Sequence, residues 1–268
     1  MSRIKKYELA RKMYVPIKMG ASRSYGGRQQ WFSKEIEEAR DMKSYYTHCN
    51  GCGVIALSDV FLYFALTLAD GRSTRAGEML DTYGNIHKDK YMTFVEEIRD
   101  QYAMIFGSSG TFAWQLSHAI NCYCENNGIA KKARFEVGIS PLELLKKMQN
   151  MLQNNHPVIL MIGQSWPVTL SKLRKTGIPF FKQKRCMSIG KPDPKAAYAE
   201  YRITEKNVYG HFVVVTGILV DEHPKWASQN IMLRISSWGE EYYISYAHYW
   251  QFIRKSSKPW LNGIISIR

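Results

Sequence analysis

Cys52 stands in the string His48-Cys49-Asn50-Gly51-Cys52-Gly53, immediately ahead of a long apolar run. A thiol at the head of a helix feels unsatisfied backbone donors and the positive helix end, and both favour the thiolate, the nucleophilic form. Glycines on either side leave room for a substrate backbone. The competing role is a small buried core cysteine. His211 lies in Tyr209-Gly210-His211-Phe212-Val213-Val214-Val215-Thr216-Gly217. In an extended strand His211, Val213 and Val215 share one face, so the imidazole projects from an otherwise apolar element. A satisfied core histidine is the alternative, but Cys with a distant His is the pairing that nucleophilic thiol catalysis requires. A third string, Arg234-Ile235-Ser236-Ser237-Trp238-Gly239, follows, with Leu233 and Ile235 facing one way and Ser236 the other.

Cys-Gly before a buried helix, then Gly-His before a valine-rich strand, then Ser-Trp-Gly closing a further strand: in this order the chain resembles the papain-like cysteine peptidase superfamily. It is most similar to the bacterial branch related to bacteriocin-leader-processing peptidases, through Cys52-Gly53 with Ala56, Pro157-Val158-Ile159, and the run Gly210 to Gly217. The likeness covers residues 20 to 250 in order, and its short motifs carry the specificity. It implies a papain-like α+β fold over residues 1 to 268, with a helical lobe at about 20–153 packed on an antiparallel β lobe at about 154–268. It also implies a cysteine hydrolase in which Cys52 attacks an acyl carbon, His211 relays the proton, and a further polar group orients the imidazole. The expected substrate is a peptide or protein, hydrolysed at a peptide or amide bond through a thioester. No cofactor and no metal are expected.

Two positions depart from the family pattern. The usual Asn before Ser-Trp-Gly is Ser236, a neutral hydroxyl that holds an imidazolium less well than a carboxylate would. Asp221 is the nearest later acid, ten residues beyond His211, about 33 Å away along an extended strand; Ser236 is therefore the expected orienter. The usual oxyanion Gln six residues before the nucleophile is Tyr46, which leaves Asn50 and Gln30 as oxyanion candidates, with the Cys52 backbone N–H as one further donor.

The same residues admit other chemistry. Cys49-Asn50-Gly51-Cys52 spells a thiol-exchange motif at a helix start, although Met42 to His48 is not the apolar strand that a thioredoxin-like fold places upstream. Cys49 and Cys52 with Cys122 and Cys124 are a possible zinc set, but the second pair is spaced by one residue in a helical pattern, where such neighbours point to different faces. A papain-like fold that has lost catalysis and holds a partner in its cleft is the third alternative.

The elements that must position these residues change character along the chain. The front half reads helical. Ser33 to Met42 has an acidic first turn and stops before the tyrosines at 45 and 46, while Gly53 to Ala69 is apolar around most of its circumference and therefore buried. Further helices are expected at Lys88 to Tyr102, Thr111 to Glu125, and Pro141 to Gln153 with Ser140 as N-cap. Strands then follow at 158–162, 212–220, 231–235, 242–246 and 264–267. Helices first and strands afterwards indicate α+β. Residues 163–209, rich in Gly and Pro, read as a long surface excursion near the site.

The 268 residues, 45% of them hydrophobic, suffice for one sizeable core without disulfides. Five cysteines, an odd number, suggest free thiols in a reducing compartment. No signal-peptide pattern and no long apolar span is seen, so a cytoplasmic protein without a membrane span is expected. The 37 Lys and Arg against 23 Asp and Glu leave +14, which favours anionic partners and an acidic substrate. Lys172, Arg174, Lys175, Lys182, Lys184 and Arg185 interleaved with Phe180 and Phe181 invite a nucleic-acid reading, set against a solvated basic loop as the expected one.

Overall fold

A computed structural model describes residues 4–33, 42–163, 177–183, 201–222, 227–256 and 263–268. The architecture is α+β: among the described residues, seven α-helices accompany a nine-stranded sheet and a small three-stranded one. The central helix α2 (Cys52–Thr67) is buried from Gly53 to Ala65. Its composition dictates this, because apolar side chains around the whole circumference leave no face for water. It packs against the sheet strand β9 (His211–Asp221) and the helices α4 (Lys88–Gln101) and α5 (Ala113–Asn126). Phe61 of α2 stacks on Tyr123 of α5 with ring centroids 3.8 Å apart.

The large sheet runs β5-β12-β6-β9-β10-β11-β7-β8, with β1 also on β9, and every pairing in it is antiparallel. Its strands are β1 (Ile4–Glu8), β5 (Ala133–Val137), β6 (Val158–Ile162), β7 (Ile178–Gln183), β8 (Tyr201–Val208), β9, β10 (Ile231–Ser237), β11 (Glu240–Ser245) and β12 (Gly263–Ile267). The unbroken apolar runs of β6 and β9 are explained by this order, since both lie in the sheet interior and are buried on both faces. The small sheet joins β2 (Pro16–Met19) to β3 (Ser22–Tyr25) and, in parallel, to β4 (Ile86–His87). One continuous hydrophobic cluster includes α2, α4, α5, α6 (Pro141–Gln153) and the central strands.

Several expectations need correction. Helices do not simply precede strands: β1 and β5 come from the front half and join the sheet built by the back half, β1 pairing the end of β9 that β6 does not reach and β5 covering the outer edge of β12. The tyrosines at 45 and 46 do not end a helix but lie inside α1 (Met42–Asn50); the expected helix at 33–42 falls almost wholly outside the described residues. Within 163–209 the chain forms β7 and β8 rather than an irregular excursion, the rest of that stretch lying outside the described residues. Phe180 and Phe181 of β7 are buried at 0% and 3% exposure, so neither ring is free to stack on a nucleic-acid base. Of the basic residues around them, only Lys182 is described, and it pairs with Glu240. A last helix, α7 (Tyr246–Ser256), covers residues given to a strand end or left unassigned by pattern.

Among the described residues no single helix is long and apolar enough to cross a membrane; α1 and α2 reach that length only together, across an 84° bend, and α2 is buried.

Candidate active site

The bend between α1 and α2 sets Cys52 in place. Gly51 closes α1 by donating its N–H to Thr47 O at 3.0 Å, and a Cβ on Gly51 would stand 2.2 Å from that same carbonyl. Two residues on, a Cβ on Gly53 would meet Thr111 Oγ1 at 1.8 Å. The flanking glycines are thus required by close internal packing, which corrects their reading as clearance for a substrate. Cys52 emerges between them as the first residue of α2.

Cys52, Ile55, Ala56 and Asp59 form one stripe of α2 by helical spacing, and all four line a small pocket, partly open to solvent, whose far wall holds His211, Phe212, Val214, Ser236, Ser237 and Trp238. The fold therefore brings Cys52, His211 and Ser236, three residues spread over 185 positions, to one cavity.

The protonation states run against the expectation from helix position. Burial of the sulfur raises the Cys52 thiol above its ordinary range, and the backbone N–H groups of Phe212, Gly53 and Cys52 itself offset only part of that. His211 is 8% exposed, and burial alone pushes it down to about 4. Both groups are neutral at pH 7. Desolvation outweighs the helix end here because a buried charge loses far more hydration than a terminal dipole returns.

His211 is held by Ser237, with Nε2 and Ser237 Oγ 2.8 Å apart. Ser236 instead donates to Tyr25 O at 2.7 Å, so the hydroxyl bonded to the imidazole is that of Ser237 and not, as expected, that of Ser236. Strand register explains the exchange. Arg234 faces Gly217, but a bulge before Ile235 skips one residue of β9, so that Ile235 faces Val215 and Ser236 faces Val214. Directly opposed residues share a sheet face, and a one-residue shift inverts the faces of everything beyond it. Without the bulge Ser236 would oppose Val215 and share His211's face; with it, Ser237 does.

Ser237 also pairs with Glu240 across a two-residue turn, Trp238-Gly239, with φ values of 48° and 76°. Positive φ at both positions is the tight hairpin geometry that matches strand twist, and it is unusual for a tryptophan. The turn lays the indole over the imidazole, ring centroids 4.7 Å apart and 24° from parallel, with Phe180 behind at 5.5 Å from the indole.

Neither expected oxyanion donor lines the pocket. Asn50 Nδ2 donates to Gly107 O at 3.1 Å, and Gln30 is exposed. Gln29 lines the cavity in their place, buried at 8% exposure, with its amide donating to His48 O at 2.9 Å and Cys49 O at 3.3 Å. Within the short 3-10 turn Gln29–Trp31 it is Gln29 that is buried while Gln30 is exposed, a choice that no sequence pattern specifies.

The residues of the competing readings are dispersed. Cys49 is exposed on α1, Cys122 faces His118 Nε2 at 3.4 Å, and Cys124 is buried in the core. Cys186 lies outside the described residues. Comparison with family models, with curated proteins and with solved structures finds no match to this chain.

Proposed function

We propose that the protein is a papain-like cysteine hydrolase that cleaves a peptide or amide bond through a thioester on Cys52. The observation that carries the reading is the convergence, in one partly open pocket, of a helix-head cysteine, a strand-borne histidine with a hydroxyl partner, and an overlying indole. On this reading Cys52 is the nucleophile, His211 the general base and Ser237 the group that orients it.

Because both partners are held neutral, the proton moves with the attack rather than before it. As Sγ bonds to the acyl carbon, His211 takes the thiol proton and the carbonyl oxygen becomes an oxyanion facing the N–H at the head of α2. Collapse expels the amine, which takes the proton back from imidazolium, and leaves the thioester. Water then repeats the cycle, with His211 removing its proton and returning it to Cys52. The cost of imidazolium inside this pocket is reduced by Ser237 and by the indole face.

The same neutrality favours a second reading, in which the pocket binds a partner without turnover. Iodoacetamide labelling at pH 7, resolved by peptide mass spectrometry, separates the two. Catalysis predicts that Cys52 is labelled at least tenfold faster than exposed Cys49, and that His211→Ala removes this advantage. Equal rates at all five cysteines, or rates indifferent to His211, would sink the enzymatic reading.

A further inference from the structure

Asp59 is a carboxylate at 2% exposure, seven residues after Cys52 on the same stripe of α2, and the mechanism above makes no use of it. Its partners are specific. The Gly27 N–H donates to both of its oxygens, at 3.1 and 3.0 Å, and Tyr91 Oη of α4 donates to Oδ1 at 2.9 Å. The segment that carries Gly27 is fastened to the opposite wall as well. Tyr25 N–H donates to Gly239 O at 2.8 Å, Tyr25 O accepts from Ser236, and two residues after Gly27 the Gln29 amide grips the end of α1. Residues 25–29 therefore form a strap between the β10–β11 hairpin that holds His211's partner and the helix that carries Cys52.

The strap has no slack. A Cβ on Gly26 would stand 2.2 Å from Ser236 Oγ and 2.5 Å from Asp59 Oδ2, and a Cβ on Gly27 would stand 1.7 Å from Tyr91 Oη. Two glycines in succession are needed for the backbone to come this close to a buried carboxylate.

We propose that Asp59 is the positioning residue of the Cys52 pocket: it anchors the 25–29 strap to α2 and so sets the distance between the Cys52 wall and the Ser236-Ser237-Trp238 wall. In its role for reactivity this rests on the hydrolase reading; the anchoring itself does not.

The anchor's charge is set by its surroundings. Burial pushes Asp59 up to about 7, against the opposing pull of the Gly27 N–H and the Tyr91 hydroxyl. The groups facing it are Tyr91 from α4 and Tyr14 from the segment ahead of β2, both raised by burial and by Asp59 itself. Ser236 faces it from β10, and Cys52 and His211 share its pocket. Among these groups no cation neutralises it. Strap anchoring therefore strengthens as pH rises through neutrality, because an ionised acceptor holds an N–H more strongly than a neutral one.

Hydrogen–deuterium exchange with mass spectrometry tests the anchor, and iodoacetamide labelling tests its consequence. In Asp59→Asn, exchange of residues 25–29 is expected to rise at least tenfold while β6 and α6 keep wild-type protection. The ratio of the wild-type to the Asp59→Asn Cys52 labelling rate, which cancels the pH dependence of the thiol itself, is expected to show a two- to fivefold step between pH 6 and 8. Tyr91→Phe, which removes one donor and keeps the carboxylate, is expected to move the midpoint of that step upward, and it decides the matter if Asp59→Asn does not fold. Unchanged strap exchange in folded Asp59→Asn, or an unshifted step in Tyr91→Phe, would overturn the proposal. A strap that loosens in Asp59→Asn while labelling ignores His211 would keep the anchor and discard the hydrolase.

Discussion

His211 and Asp59 carry pH effects of opposite sign. For His211 the folded value, about 4, lies below the unfolded 6.5, so its contribution to stability is complete above pH 6.5 and is lost as pH falls through 4. For Asp59 the folded value of about 7 lies above the unfolded 3.8, so its contribution is complete below that and is lost as pH rises through 7. Each window is on the order of 3 to 4 kcal/mol. Thermal unfolding should therefore show Asp59→Asn gaining on the wild type between pH 5 and 8, and His211→Asn gaining on it as pH falls from 7 to 4.5. The base must be neutral to act, so the acid limb of Cys52 reactivity is expected near pH 4 rather than near 6.5. The serine pair gives a sharper contrast. Ser237→Ala removes the hydroxyl that holds His211 and should lower Cys52 reactivity five- to tenfold, the kinetic equivalent of about 1 to 1.4 kcal/mol. Ser236→Ala should instead cost about 1 kcal/mol of stability through the lost bond to Tyr25 and leave labelling within about twofold.

At the scale of elements, the site depends on junctions rather than on regular segments. The α1–α2 bend needs Gly51, the packing of α2 against the 106–112 loop needs Gly53, and the β10–β11 turn needs a tolerant residue beside Trp238. Gly53→Ala places a methyl against Thr111 at the first turn of the most buried helix, and strain of this kind is expected to cost about 1 to 3 kcal/mol in urea unfolding. The variant should also displace the thiol, so that Cys52 labelling falls even where the protein stays folded. A folded Gly53→Ala that keeps the wild-type urea midpoint and labelling rate would overturn this, since helix propensity alone favours alanine over glycine.

At the scale of the molecule, α2 is the shared core of the helices and the sheet. Phe61, at 0% exposure, packs face to face on Tyr123, and Phe61→Ala is expected to destabilise by about 3 to 5 kcal/mol. Since one hydrophobic cluster spans both halves, helix-sensitive circular dichroism and tryptophan fluorescence should report the same shifted midpoint. Two separate midpoints would show that the halves unfold independently.

Much of this was readable from the chain itself. The all-round apolar character of α2, the Ser140-Pro141 start of α6 and the β6 and β9 runs rest on local pattern, because burial on every side or on both faces leaves its mark in consecutive residues. What the tertiary structure decided is everything set by register and contact. A single bulge put Ser237 rather than Ser236 on His211, a short turn put Gln29 rather than Gln30 on the pocket wall, and desolvation opposes the charge that a helix terminus favours for Cys52. Asp59 shows the limit most plainly. In sequence it is one acid in an apolar helix, and only the strap lying across it turns an unfavourable burial into an anchored one. Sequence determined which residues are buried; how a buried polar group is matched depends on neighbours as far as 211 positions away, and that is a property of the folded chain alone.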